Sequence, residues 1–140
     1  MNRRRWLRAA LLAGAVLLAA GTGPARAADE DVSFKRRGDE EKQFMAKVGR
    51  AIVKAAHPTG KNPELVQYEV KNPKPNRTEL HLQMDYKGQV TNKTYKANIV
   101  VKVDSTNKDA WEVLNIDYSD NNNIKYNARK VQDLIKRFNR

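Results

Sequence analysis

Two aspartates, a serine and a run of asparagines crowd the stretch "NIDYSDNNNIKYNARK", Asn115 to Lys130. Oxygen donors at that density raise the question of a calcium loop. A loop of EF-hand type sets ligands at alternate positions, a glycine at the sixth and a bidentate glutamate at the twelfth. Counted from Asp117, Ser119 and Asn121 suit the early positions, but Asn122 stands where the glycine belongs, Lys125 falls ninth and Ala128 twelfth. A turn explains the stretch with less. Asparagine tolerates left-handed backbone and hydrogen-bonds its own turn, and Asn127 is placed to cap a helix. No metal is expected there, and with no cysteine and 2 histidines in the chain a zinc site of familiar spacing is not expected either.

General acid–base chemistry needs a histidine beside a carboxylate. In the strand register derived below, Glu69 faces His81, and Asp85, Lys96 and Asp117 form a row beside them. All of these fall on the solvent side of a sheet, where cross-strand ion pairs are ordinary and nothing excludes water. His57, beside Pro58 at a helix end, is less promising still. No catalytic residue and no cofactor are expected. The same register sets Tyr86, Tyr95 and Tyr118 side by side on the inner face, at the end of the sheet where the asparagine loop begins. A hydroxyl on an apolar body suits a core rim or the mouth of a pocket, so these three are the candidate ligand-binding residues. Arg129 and Lys130 are candidate anion contacts, at the start of a basic final segment with Lys136, Arg137 and Arg140 against Asp133. The interleaved aromatics of a single-strand binder are missing, so nucleic acid is not an expected partner.

The elements that hold these residues follow from periodicity. Phe44, Val48, Ile52 and Ala55 recur at helical spacing, widened by Met45, Ala51 and Ala56. Asp39, Glu40 and Glu41 fall in the first turn, where acids favour the helix dipole, and "HPTG" ends the helix. The period then becomes two. Val66, Tyr68 and Val70 form one inward set; Leu80, Leu82, Met84 and Tyr86 a second; Tyr95, Ala97, Ile99, Val101 and Val103 a third; Leu114, Ile116 and Tyr118 a fourth. Short joints carrying proline, glycine and asparagine imply an antiparallel meander. Helical spacing returns at Ala128, Val131, Leu134, Ile135 and Phe138. The expected fold is α+β, an N-terminal helix, a four-stranded antiparallel meander and a C-terminal helix (α-β-β-β-β-α) in cystatin-like two-layer packing, with 39–140 as a single domain. Whether both helices share one sheet face is left open, because the outer face is not wholly polar.

Register is constrained because a one-residue slip turns every side chain over. Val70 is expected to face Leu80 and Tyr68 to face Leu82; Tyr86 to face Tyr95, Met84 to face Ala97 and Leu82 to face Ile99. Across "STNK", Asp104 is expected to face Asp109, which sets Ile99 against Leu114, Ala97 against Ile116 and Tyr95 against Tyr118. This leaves Glu112 inward opposite Val101 unless a bulge turns it out. It leaves Val100, Val113 and Trp111 as an outward apolar patch in need of cover from a helix, the lead segment or a partner.

The N-terminus reads as an export signal. "MNRRRWLR" is cationic, Ala9 to Ala20 is uninterruptedly apolar, and "ARA" at 25–27 fits a cleavage site. The apolar run is shorter than the roughly 20 residues of a spanning helix, and no second one follows. The expectation is a signal peptide over 1–27 cleaved after Ala27, exported by the Sec route in preference to the twin-arginine one, then a flexible polar lead over 28–38. The mature chain would be periplasmic or secreted, with no transmembrane segment. Removing 1–27 takes away five arginines and no acid, so the formal charge falls from +11 by five, to +6. That supports solubility and some attraction to anionic surfaces. Without cysteine there is no disulfide, and stability must come from a packed core.

"KDAWEVLNIDY", 108–118, resembles a late strand of cystatin-like and nuclear-transport-factor-like domains, in which tryptophan, valine and isoleucine mark a strand packed on a helix. The resemblance implies a pocket or groove between a curved sheet and a helix, and binding without catalysis. "GQVTNK" departs from the glutamine-valine-glycine hairpin of cystatin inhibitors, and the helix after the last strand is a further departure. The inward aspartate–histidine pair of the enzymatic members has no expected counterpart, since His81 and Asp85 face outward. The functional expectation is an exported, non-catalytic binding or interaction module of the bacterial cell envelope. Its partner would be a protein or small ligand, or an anionic surface or polymer. The alternatives are a small pocketed α+β enzyme and a polyanion-binding protein that uses the basic last helix.

Overall fold

The computed structural model describes residues 32–35 and 40–140; the expected leader over 1–27 and Asp39 lie outside them. In chain order the elements are α1 (Glu41–Ala56), β1 (Lys61–Lys74), β2 (Arg77–Lys87), β3 (Thr94–Asp104), β4 (Glu112–Asp120) and α2 (Ala128–Phe138). The strands form one antiparallel sheet in the order β1-β2-β3-β4, as short joints require. The α+β class and the α-β-β-β-β-α order expected from periodicity are the ones observed.

Both helices lie on the inner face. α1 packs on β1 and β2, and α2 packs on β4 and against α1. Their buried stripes, Phe44, Met45, Val48, Ile52, Val53 and Ala56 from one and Val131, Leu134 and Phe138 from the other, join the inward residues of the strands in a single core. Gly49 lets α1 come close: a Cβ at that position would overlap the fully buried Met84 side chain of β2. Asn127 caps α2 as expected, its Oδ1 accepting the Lys130 N–H at 3.0 Å. Glu40 caps α1 with no side-chain hydrogen bond.

The lead segment needs correcting. Val32 and Phe34, assigned above to a polar lead, are buried in the core. The Phe34 N–H donates to the Phe138 carbonyl at 2.9 Å, and its ring meets Phe44 edge-on at 5.0 Å and Phe138 at 5.2 Å. Two apolar residues are too few to register as a period, so only the space left between the two helices shows that they belong inside.

The β1–β2 and β2–β3 registers stand as derived at Val70↔Leu80, Tyr68↔Leu82, Leu82↔Ile99, Met84↔Ala97 and Tyr86↔Tyr95. Two details differ. A bulge between Leu65 and Gln67 sets Leu65 against Met84 and leaves Val66 55 % exposed. The β3–β4 pairing is slipped by four residues: Ile99 faces Tyr118 and Val101 faces Ile116, not Leu114 and Glu112. The cause is the connection. Residues 105–111 form a longer loop in place of a tight turn, held by Asp104 Oδ1 accepting the Thr106 N–H at 2.9 Å and Asn107 Oδ1 accepting the Asp109 N–H at 3.0 Å. An even slip keeps the faces. An irregularity between Lys102 and Val103 then exchanges Val113 and Leu114: Val113 is buried against Val103, Leu114 is 43 % exposed and Glu112 points out. The expected outward patch therefore loses Val113 to the core, and Trp111 packs against that core.

β4 is an edge strand, and α2 closes its free side. Asn139 Oδ1 accepts the Val113 N–H at 2.7 Å while its Nδ2 donates to the Val113 carbonyl at 3.0 Å; Gln132 Nε2 donates to the Ile116 carbonyl at 3.1 Å. Side-chain amides thus supply what a fifth strand would have supplied.

Candidate functional site

The slip of β4 decides what stands at the end of the sheet. Tyr118 moves away from Tyr95, and Asp120 comes to face Ala97 on the inner side. Three donors converge on Asp120 Oδ2: the Tyr118 hydroxyl at 2.7 Å, the Tyr86 hydroxyl at 2.8 Å and His57 Nε2 at 2.8 Å. Oδ1 accepts the Asn122 N–H at 3.1 Å, and Asn122 Nδ2 donates to the Tyr86 hydroxyl at 3.1 Å. The side chains of His57 and Asp120 are 8 % and 5 % exposed.

This corrects two expectations. An inward aspartate–histidine pair exists, made by residues other than His81 and Asp85. His57, set aside for its place beside a proline, is one half of it. Where α1 ends, Lys54 Nζ donates to the carbonyls of Pro58 at 3.3 Å and Gly60 at 3.1 Å, and the Gly60 N–H donates to the His57 carbonyl at 2.9 Å. That tight return aims the imidazole across the sheet end, where it stacks on Tyr86 with ring centroids 5.3 Å apart. The asparagine stretch is indeed a turn, held by Asn122 Oδ1 accepting the Ile124 N–H at 2.9 Å and Asn121 Oδ1 accepting the Lys96 N–H at 2.9 Å.

Desolvation pulls the Asp120 carboxyl upward. The hydrogen bonds from Tyr118, Tyr86, the Asn122 backbone and His57 outweigh it and hold the group below its ordinary value. The phenols move the other way. Burial, with the Asp120 carboxylate beside the hydroxyl, pushes Tyr86 up to about 12, and the same causes drive Tyr118 higher. At neutral pH the cluster is therefore one carboxylate held by neutral phenols.

Beside the cluster lies a pocket of about 170 Å³. His57, Tyr86, Tyr95 and Asn122 line it, and Val90 of the β2–β3 connection and Ile124 of the β4–α2 loop stand at its rim, 92 % and 70 % exposed. Of the three candidate tyrosines, Tyr86 and Tyr95 meet at 5.6 Å and line the pocket, whereas Tyr118 does not; its ring packs on Tyr126 at 4.8 Å. Glu112, expected inward opposite Val101 unless a bulge turned it out, is exposed and stands opposite Asp104 in the strand register. Arg129 and Lys130 are exposed in the first turn of α2, and neither forms an ion pair with another described residue.

The fold and site together describe a four-stranded sheet with two helices on one face and a small aromatic pocket at one end. In comparisons with known proteins, no family model, no curated protein and no solved structure matches the chain.

Proposed function

We propose that this protein is an exported, non-catalytic interaction module whose pocket receives a single apolar or aromatic side chain of a partner in the cell envelope. The observation that carries the reading is the pocket between His57, Tyr86, Tyr95 and Asn122, with Val90 and Ile124 exposed at its rim. Its size decides the class of occupant. About 170 Å³ is below the roughly 300–1,000 Å³ of small-molecule sites, but it accommodates one ring or one branched side chain. Two large apolar side chains held out in solvent gain by being covered. The export half of the proposal rests on the cationic start, the apolar run and "ARA". No helix among the described residues is long and apolar enough to cross a membrane.

The His57–Asp120 pair favours a second reading, an enzyme using histidine as a general base. Burial of the pair weighs against it, its side chains being 8 % and 5 % exposed. Four donors already engage the Asp120 carboxylate, three at Oδ2 and one at Oδ1. The imidazole spends one nitrogen on that carboxylate and one face on Tyr86.

Two measurements separate the readings. In an amide-shift titration with p-cresol, indole and 3-methylbutanol, at least one fragment should move Gly60, Gly88 and Asn122 while leaving Asn98 unmoved. No movement with any fragment would defeat the module. Diethyl pyrocarbonate should modify His81 quickly and His57 slowly. Fast modification of His57 would move the balance to the enzyme.

A further inference from the structure

The opposite face of the sheet presents a different kind of surface. Register connects Gln67 to Gln83, Gln83 to Asn98 and Asn98 to Ser119, so one row of uncharged polar side chains crosses all four strands. All four are exposed, and none hydrogen-bonds through its side chain to another described residue. On one flank of the row the charges are paired locally, and on the other Asp85 stands opposite Lys96 in register. His81 meets Glu79 at 3.0 Å, Lys71 meets Glu69 at 3.6 Å, Lys102 meets Asp117 at 3.6 Å, and Asn115 donates to Asp117 at 3.0 Å. Gln67, Gln83 and Asn98 of the row line a hollow of about 480 Å³ across β1, β2 and β3, with Glu69, His81 and Val100 beside them; Ser119 lies beyond it. That volume is within the range of ligand sites.

We infer that this hollow binds a neutral, hydroxyl-rich glycan chain laid along the amide row. Each amide both donates and accepts, as each sugar hydroxyl does, so either orientation of a hydroxyl finds a partner. Neighbouring strands are about 4.8 Å apart, a spacing close to the rise per sugar of an extended β-1,4-linked hexose chain. Successive sugars therefore meet successive strands. Half-buried Val100 offers an apolar contact for the C–H face of a ring. The row itself carries no charge and its flanks are mixed, Glu69 beside Lys71 and Asp85 opposite Lys96, so neither an anionic nor a cationic chain meets a surface of opposite sign. An extended peptide gains main-chain hydrogen bonds at a strand edge, not on a face.

The test is an NMR titration of the protein that follows the side-chain amide resonances of Gln67, Gln83 and Asn98. The probes are cellohexaose and chitohexaose, with maltohexaose and a polygalacturonate oligomer as comparators. A β-1,4-linked neutral hexaose should shift all three amides, and the shift should persist in roughly 0.5 M salt, where charge attraction is screened. Gln83→Ala and Asn98→Ala should each weaken binding about fivefold, the loss of one net hydrogen bond, with Tm unchanged. Which of the two hexaoses binds more tightly separates a plain hexose chain from an N-acetylated one. The inference is overturned by silence with both, by equal binding of maltohexaose, whose coiled repeat does not match the strands, or by binding confined to polygalacturonate and abolished by salt. None of these outcomes bears on the fragment titration at the other site.

Discussion

The two faces of this sheet treat polar side chains in opposite ways. On the inner side Asp120, Tyr86, Tyr118 and His57 are drawn together with little access to water, and each finds a partner within 2.8 Å. On the outer side Gln67, Gln83, Asn98 and Ser119 stand in a row with no side-chain partner among the described residues. A buried polar group without a partner costs more than its hydrogen bond is worth, so the inner set must be complete or absent. An exposed amide is satisfied by water and carries no such obligation, which leaves it open to exchange water for a ligand. The inner cluster is accordingly a brace joining the end of α1, β2, β4 and the following loop, and the outer row is a surface.

The comparison breaks first at Asp120. Asp120→Ala removes the shared acceptor and strands two phenols and an imidazole, so a loss of about 3–5 kcal/mol is expected in urea unfolding. A loss under about 1 kcal/mol would mean that the cluster braces nothing.

The pH dependence should carry the same signature at both ends. Asp120 is held below its ordinary value, so its contribution is present above the unfolded carboxyl pKa, about 3.9, and is lost as pH falls through the folded value. Asp120→Asn should flatten that acid limb. Tyr86 is raised to about 12, so its contribution is present below the unfolded phenol pKa of about 10 and is lost as pH rises from there through the folded value. A tyrosinate absorbance titration should find at least two phenols fewer, those of Tyr86 and Tyr118, ionising near pH 10 in wild type than in urea, and Tyr86→Phe should remove a late step. Tyr86→Phe at neutral pH should cost about 1–2 kcal/mol.

A smaller effect is expected at the β4 edge. Asn139→Ala leaves the Val113 N–H and carbonyl without their partners, at a cost of about 1–2 kcal/mol, and Val113 should lose hydrogen-exchange protection before Ile99 does. Unchanged protection at Val113 would show that water replaces the amide at no cost. Smallest of all is Gln83→Ala, expected within about 0.5 kcal/mol of wild type. A larger loss would show that the outer row is structural after all.

Much of the fold was legible because it depends on short-range pattern. The β2–β3 pairing follows from alternation plus a joint only a few residues long, and Tyr86 opposite Tyr95 comes out correctly. The β3–β4 pairing does not, because alternation fixes which face a residue uses but not how far along the neighbour it lies. The slip of four satisfies the same pattern, and only the asparagine- and aspartate-held loop after Asp104 selects it. The single-residue exchange of Val113 for Leu114 is less visible still, since both are apolar. The candidate site was half legible. Tyr86 and Tyr95 belong to it, Tyr118 serves the brace instead, and His57 and Asp120 were missed. The one available signal was an aspartate in phase with Ile116 and Tyr118 at the end of β4, two residues beyond an inward tyrosine.

The sequence by itself determined which residues are helical, which are extended, the order of the strands and the faces of most side chains. These depend on local spacing that any fold of the chain must respect. Only the tertiary structure decided that Phe34 closes the core, that β4 lies four residues further along β3, and that His57 reaches Asp120, 63 positions away. Those outcomes depend on how separate elements share space and on the need of every buried polar atom for a partner, and neither is a property of any short stretch of chain.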